Sequence, residues 1–311
     1  KQFLLPSFPN ITMRNLLPTL MLAFSVVAVS NGQSPLSDEA HDAEVTKIEF
    51  TGNASFENSA LKEQLSLKET PGGFSKFLYR AIGEKLGSKP EYFTIDKFNA
   101  DVKRLKKFYQ DHGFYETGVK GEYHEGSSPE EVVVTMAIDE GERSIVDNVR
   151  YLGFEDLPAD VTAEIFKMPL LQKGMVYEVD KGGAEVVRVT NILINNGYPL
   201  ATFDGNNSAA LHRPASHSFQ LTYVFKPGIK ERFGDITIHV DPPREDITDN
   251  LTTRMLDFQP DDIYSRAKKI SSESNLNRLG LFETARIDHS THADSGSSGR
   301  LPIEILVHPR A

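Results

Sequence analysis

The sequence predicts an α+β chain that uses one supersecondary unit, β-α-α-β-β, three times over. Three observations predict it. Short segments with apolar residues at every second position alternate with segments whose apolar residues recur every three or four positions. Each first strand is closed by Gly, Asn, Asp or Pro. Equivalent landmarks return at near-constant intervals: 84 residues from Gly113 to Gly197, 84 from Tyr198 to Phe282, 88 from Val133 to Leu221 and 82 from Leu221 to Ile303. A chance likeness would lose register over such lengths, so the recurrence is read as a structural repeat.

The elements follow in order. First strands are predicted at Val45–Phe50, Ile145–Leu152 and Gly234–Val240, stopped by Thr51-Gly52-Asn53, Gly153 and Asp241-Pro242-Pro243. Closing strands are predicted where Val132, Val134, Met136 and Ile138, then Phe219, Leu221, Tyr223 and Phe225, then Leu301, Ile303, Ile305 and Val307 share one face. Their other faces are mostly polar, as expected for sheets that cover a core on one side only. Between the strands, Ile95, Phe98, Val102, Leu105 and Tyr109 form a helical stripe after a Thr94 cap, stopped by His112-Gly113. The second copy runs from Tyr177 through Val186, Val187, Thr190 and Ile194 to Asn196-Gly197, preceded by a helix carrying Val161 and Ile165. In the third copy Ile247, Leu251 and Met255 take the first-helix place. There Tyr264 to Phe282 spans 18 residues against 21 from Tyr177 to Tyr198, which shortens the second helix by about one turn. The first interval is longer, 101 residues from Ile48 to Val149, and the excess falls at 70–90. That insertion carries Phe74, Phe77, Tyr79, Lys76, Arg80 and Lys85, and suits a helix packed on the first module, a partner contact or a membrane-surface helix.

Composition narrows function. The 311 residues carry 34 Lys plus Arg and 44 Asp plus Glu, a net charge of −10, which argues against nucleic-acid binding. With no Cys, disulfide scaffolds, thiolate zinc sites, iron–sulfur clusters and thiol nucleophiles are excluded together. Residues 1–12 precede the first Met and are set apart from the fold. From Met13 the chain reads as a signal peptide, residues 13–32: Arg14, the apolar run Leu16–Val29 and a small-residue exit at Ala28-Val29-Ser30. The alternative is a membrane anchor, but the apolar run is 14 residues long and contains Pro18, short of the roughly 20 needed to span.

Catalytic motifs are missing from the sequence: no phosphate loop, no G-x-S-x-G elbow and no H-E-x-x-H. Asp288-His289 with His292 and Asp294 is the best metal-like group, yet it leads into Ser295-Gly296-Ser297-Ser298-Gly299 and reads as hairpin polarity. His212 and His217, flanking Arg213-Pro214, read the same way. No enzyme, cofactor or metal is expected.

The repeated unit, with Gly113-Phe114-Tyr115 or Gly197-Tyr198 after the second helix and Leu279-Gly280-Leu281-Phe282-Glu283-Thr284-Ala285-Arg286-Ile287 before the last strand, resembles the POTRA domain. Three such domains behind a signal peptide resemble the periplasmic part of outer-membrane assembly factors of the BamA and TamA type. The resemblance covers about Val45 to Pro309. It implies three modules, 45–141 with a helical insertion near 70–90, 142–228 and 229–311, after a linker at 33–44. Each would be a three-stranded mixed sheet with two helices on one face, in an elongated array that precedes a β-barrel. It implies a polypeptide-docking scaffold in the periplasm, attached to the outer membrane through its own or a partner barrel. Its partners would be unfolded outer-membrane clients or envelope accessory proteins. Two-partner secretion and an anchored divisome scaffold are the alternatives, resembling two modules and one.

The resemblance also makes the strand after each second helix the docking edge. The candidate residues are Tyr115, Thr117 and Val119, then Leu200, Thr202 and Phe203, then Phe282, Thr284 and Arg286. An edge strand offers unpaired N–H and C=O groups to an extended chain. Glu116, Lys120, Glu122 and Arg286 suit the opposite reading, in which charges guard the edge.

Overall fold

The structure, a computed structural model, describes residues 43–70, 90–289 and 299–310. The signal peptide, the body of the insertion, and His292 and Asp294 lie outside the described residues.

The first module comprises β1 (Glu44–Thr51), α1 (Asn58–Gln64), α2 (Ile95–Asp111), β2 (Gly118–Glu125) and β3 (Glu131–Asp139). The second comprises β4 (Ile145–Leu152), α3 (Ala159–Lys167), α4 (Val179–Asn195), β5 (Thr202–Phe203), β6 (Ala209–Arg213) and β7 (Ser218–Lys226). The third comprises β8 (Arg232–Val240), α5 (Asp249–Thr253), α6 (Arg266–Arg278), β9 (Phe282–His289) and β10 (Arg300–Pro309).

In each sheet the closing strand is central. Its first-strand neighbour runs parallel to it and the strand after the second helix runs antiparallel, giving orders β1-β3-β2, β4-β7-β5 with β6 also on β7, and β8-β10-β9. A parallel pair cannot be joined by a tight turn, and the two helices of each module supply the crossover. Apolar alternation sets the register: Val132, Val134, Met136 and Ile138 are buried on one face of β3, as are Leu301, Ile303, Ile305 and Val307 on β10. A register shift recurs at the same place in every parallel pair, after Val45, after Val146 and after Phe233, which pairs with Leu301. Pro302 lies at the third of these irregularities, where a central strand can carry a residue without an N–H.

Thr94 caps α2 by accepting from the Lys97 amide, as its position predicts, and Ser265 caps α6 from Lys268. Helices α2 and α4 have 17 residues and α6 has 13, the expected loss of one turn. Gly113 and Gly197 end α2 and α4 at φ +95 and +99, and the following amides of Phe114 and Tyr198 reach back to Tyr109 and Leu193. The cores of the second and third modules form one continuous cluster, against which Tyr115 of the first module packs.

The base of the insertion is closed. In the second module Val146 exchanges hydrogen bonds with adjacent residues, Gly174 N to Val146 O at 2.7 Å and Val146 N to Met175 O at 2.8 Å. The third repeats this with Asp261, Asp262 and Phe233. In the first module the two partners of Val45 are Thr70 (2.6 Å) and Glu91 (2.9 Å), so residues 71–90 are spliced into what is elsewhere a single peptide bond. The Thr70 hydroxyl bonds both the amide and the carbonyl of Glu91 across the neck.

Three details differ from the sequence expectation. The middle sheet has four strands, because its edge strand is split into β5 and β6. Helix α5 has only five residues, so Ile247 and Met255 pack from the flanking turns. Strand β2 starts at Gly118, because Gly113 to Thr117 form the joint described below.

Candidate docking edges and inter-module joints

Pairing parity decides which backbone groups of an edge strand face outward. In β2, the groups of Lys120 and Glu122 face β3, leaving those of Val119, Gly121 and Tyr123 on the outer side. In β9, the corresponding outward residues are Ala285 and Ile287. Helix α6 covers both of them: Asn277 accepts from the Ala285 amide (2.8 Å) and donates to its carbonyl (2.9 Å), and Glu273 accepts from the Ile287 amide at 2.9 Å. The amide side chain of Asn277 thus stands in for a neighbouring strand.

The middle edge strand is interrupted, and side chains and backbone of the break pair with the central strand β7 in its place. Between β5 and β6 the chain leaves the sheet at Asp204–Ser208, and Ser208 Oγ accepts the Val224 amide at 2.9 Å while Asp204 N donates to Val224 O. Asp204 accepts from Asn207 and Lys226, and these hydrogen bonds hold its carboxyl down at about 2.

The candidate residues therefore occupy several settings. Val119 lies on the β2 edge. Tyr115 and Thr117 precede that strand, Thr117 being buried with its hydroxyl on Glu140 O. Thr202 and Phe203 are the whole of β5, and Leu200 is an exposed turn residue. Phe282, Thr284 and Arg286 lie on β9, where Phe282 is buried and Arg286 pairs with Asp288.

A second site class was not singled out from the sequence. Seven residues after the N-cap, each second helix buries a side chain that accepts an amide of the loop following the first helix: Asp101 from Ser66 and Leu67 (both 2.8 Å), Glu185 from Leu170 (2.9 Å) and Ser272 from Asp257 (2.7 Å). Three residues on, Arg104 and Arg188 pair with the acid, and Asn275 donates to Met255 O as Arg188 does to Ile165 O. Burial opposes ionisation of Glu185, but Arg188, the Tyr151 hydroxyl and the Leu170 amide outweigh it and hold the carboxyl below its ordinary range. The readable signal was an acid with Arg three positions later at one fixed distance from the cap.

The joints between modules repeat as well. Gly113 O accepts the Ser144 amide at 2.8 Å, and Ser144 O accepts the Tyr177 amide at 3.0 Å; Gly197 O, Glu231 and Tyr264 do the same at 2.7 and 3.1 Å. A Cβ on Gly113 would lie 2.5 Å from Val176 Cγ1, and one on Gly197 3.0 Å from Ile263 Cγ2.

Around that shared relay the joints differ. At the first, Tyr115 packs on Phe219, Tyr177 and His212, while His217 Nδ1 lies 2.7 Å from Glu116 and its Nε2 3.8 Å from Glu142. Burial in this ring cluster pushes the His212 imidazolium down. At the second, Asn195 accepts from the Ser265 hydroxyl and the Ala267 amide, and Arg266 donates to Asn191. Glu231 is buried there with Oε2 unbonded, and burial pushes its carboxyl up despite His289. Among the described residues no group of three or more His, Cys, Asp or Glu is placed to hold a metal. None of their helices is long and apolar enough to cross a membrane.

Residues 43–141 match the family model for the POTRA domain, the surface antigen variable number repeat. The outer membrane protein assembly factor BamA of Neisseria meningitidis is 24% identical over 252 residues, 81% of this chain and 29% of that protein. BamA of Neorickettsia risticii is 22% identical over 298 residues, 91% of this chain and 36% of its own length. The chain thus spans about a third of the curated relatives it matches. Among solved structures, POTRA domains 3–5 of Haemophilus influenzae BamA cover 89% of this chain and all of theirs at 18% identity, with a TM-score of 0.46.

Proposed function

We propose, from the premise that this chain is a POTRA region of the BamA type, that it acts in outer-membrane protein assembly or translocation as a periplasmic docking scaffold for extended polypeptides. Its role is binding, not catalysis. Edge backbone supplies the contact, which suits clients that share a strand conformation and little sequence. The observation that carries the reading is the threefold use of one sheet order, in which the strand after each second helix is left at an edge.

The test is saturable binding by the purified chain of a dye-labelled outer-membrane porin, unfolded in urea and diluted into buffer, followed by anisotropy. A micromolar isotherm, absent with an unfolded all-helical protein, supports docking of strand-forming clients. Equal binding of both, or of neither, overturns it.

A further inference from the structure

The two joints share a backbone relay but not the side chains around it. Glu116 stands three residues after Gly113, Glu142 stands two before Ser144, and the carbonyl of His217 accepts the amide of Ile145, the residue after Ser144. At the second joint the same three places hold Leu200, Ile229 and Gly299, whose carbonyl accepts the Arg232 amide. The match holds in space: a Cβ on Gly141 would lie 3.8 Å from Glu116 Cβ, and one on Gly228 3.8 Å from Leu200 Cβ. An ionisable triad at one joint is thus replaced as a set by uncharged residues at the other.

His217 also occupies a backbone conformation that disfavours it. Its φ is +41 where Gly299 has +63, in the left-handed region that suits glycine. What a histidine brings there is its side chain. The ring Nδ1 lies 2.7 Å from Glu116 and Nε2 3.8 Å from Glu142, yet Nδ1 makes no hydrogen bond among the described residues. The attraction is therefore one of charge, present only while the imidazole is protonated.

The other groups at this joint do not supply that charge. His212 at the end of β6 lies 3.2 Å from Ser144 Oγ through Nε2, and burial disfavours its imidazolium, with Glu116 opposing and His217 reinforcing that effect. Burial likewise keeps the Tyr115 and Tyr177 phenols neutral. Asp111 at the end of α2 is paired with Lys107, and Arg143 lies over the Phe114 ring at 4.8 Å.

We propose that Glu116, Glu142 and His217 form a proton-operated latch on the first joint. Charged, His217 holds the carboxylates of the first module and its linker against the hairpin of the second. Neutral, it releases them, and the joint turns about the bond from Ser144 N to Gly113 O. Because the ion pairs exist only with His217 charged, latching strengthens as pH falls through the range in which histidine charges, about 5 to 8, and fades again where the carboxylates protonate, near about 4. The latch does not rest on the docking reading above.

The chain has no Cys, so a pair can be introduced for labelling. Spin labels at Lys103→Cys and Lys167→Cys, both exposed, span the first joint of the full chain. Double electron–electron resonance is expected to give a narrow distance distribution at about pH 5.5 and a broad one at about pH 8, with the open fraction rising about fivefold, the scale of a half-exposed ion pair. His217→Gly, which gives the backbone the residue found at 299, and Glu116→Gln, which keeps the histidine, should each leave the distribution broad at both pH values. Equal widths at the two pH values without either substitution overturn the latch. A pH effect that survives His217→Gly also overturns it, since His212 would then be the titrating group.

Discussion

The carbonyl of Gly113 accepts the amide of Ser144 at 2.8 Å, so the end of one module's second helix holds the residue that begins the next module's first strand. Gly197 and Glu231 repeat the relationship at 2.7 Å. A side chain at either glycine would sit inside the joint at positive φ, a region costing a non-Gly residue about 1–2 kcal/mol.

Gly113→Ala therefore carries that backbone cost plus a clash with Val176, whereas Gly280→Ala, also at positive φ, meets nothing within 4 Å. Thermal unfolding should show the larger loss for Gly113→Ala. Equal losses would show that the joint contact contributes nothing.

Glu231→Gln should stabilise the chain near neutral pH. Burial raises the folded-state pKa of Glu231, so stability is lost as pH climbs from the ordinary carboxyl value through the raised one. The melting temperature of the variant should exceed that of the natural chain by a few degrees at pH 7, on the order expected for about 1 kcal/mol. The gain should vanish near pH 4, and a gain of the same size at both values would remove burial as the cause.

Glu185→Ala leaves Arg188 without its carboxylate and the Leu170 amide without an acceptor, and should cost about 3–5 kcal/mol in denaturant unfolding. The natural pair has the opposite pH sense to Glu231. Its carboxyl is held low, so its stabilisation is complete above the ordinary carboxyl range and fades as pH falls below it. A loss under 1 kcal/mol would mean that solvent replaces the clamp.

Joining Thr70→Gly directly to Glu91, with residues 71–90 removed, should leave the first module folded. Gly174 and Met175 make the same two bonds to Val146 as adjacent residues. Circular dichroism and a melting temperature within a few degrees of the natural chain would bear this out; a molten first module by amide exchange would not.

Much of this architecture is legible in the sequence because it rests on repetition of residue type. Gly113 and Gly197 recur as glycine, the closing strands as apolar alternation, and the shortened α6 as a missing turn. The clamp is hidden because Asp101, Glu185 and Ser272 share a position and a hydrogen-bonding role but not an identity. The closure of β9 is hidden for a related reason. Helix α6 buries only Ser272 and Leu276, so it shows no stripe to orient it, and Glu273 and Asn277 read as ordinary surface polarity. The break after Phe203 needs the bond between Ser208 and Val224 to be seen at all.

The continuous apolar cluster of the second and third modules also has a mechanical meaning. A pull along the chain must shear that cluster to part those two, whereas the first module is held by the Gly113 relay, one tyrosine among three rings and a histidine between two carboxylates. The first module is therefore expected to part from the other two before they part from each other under load.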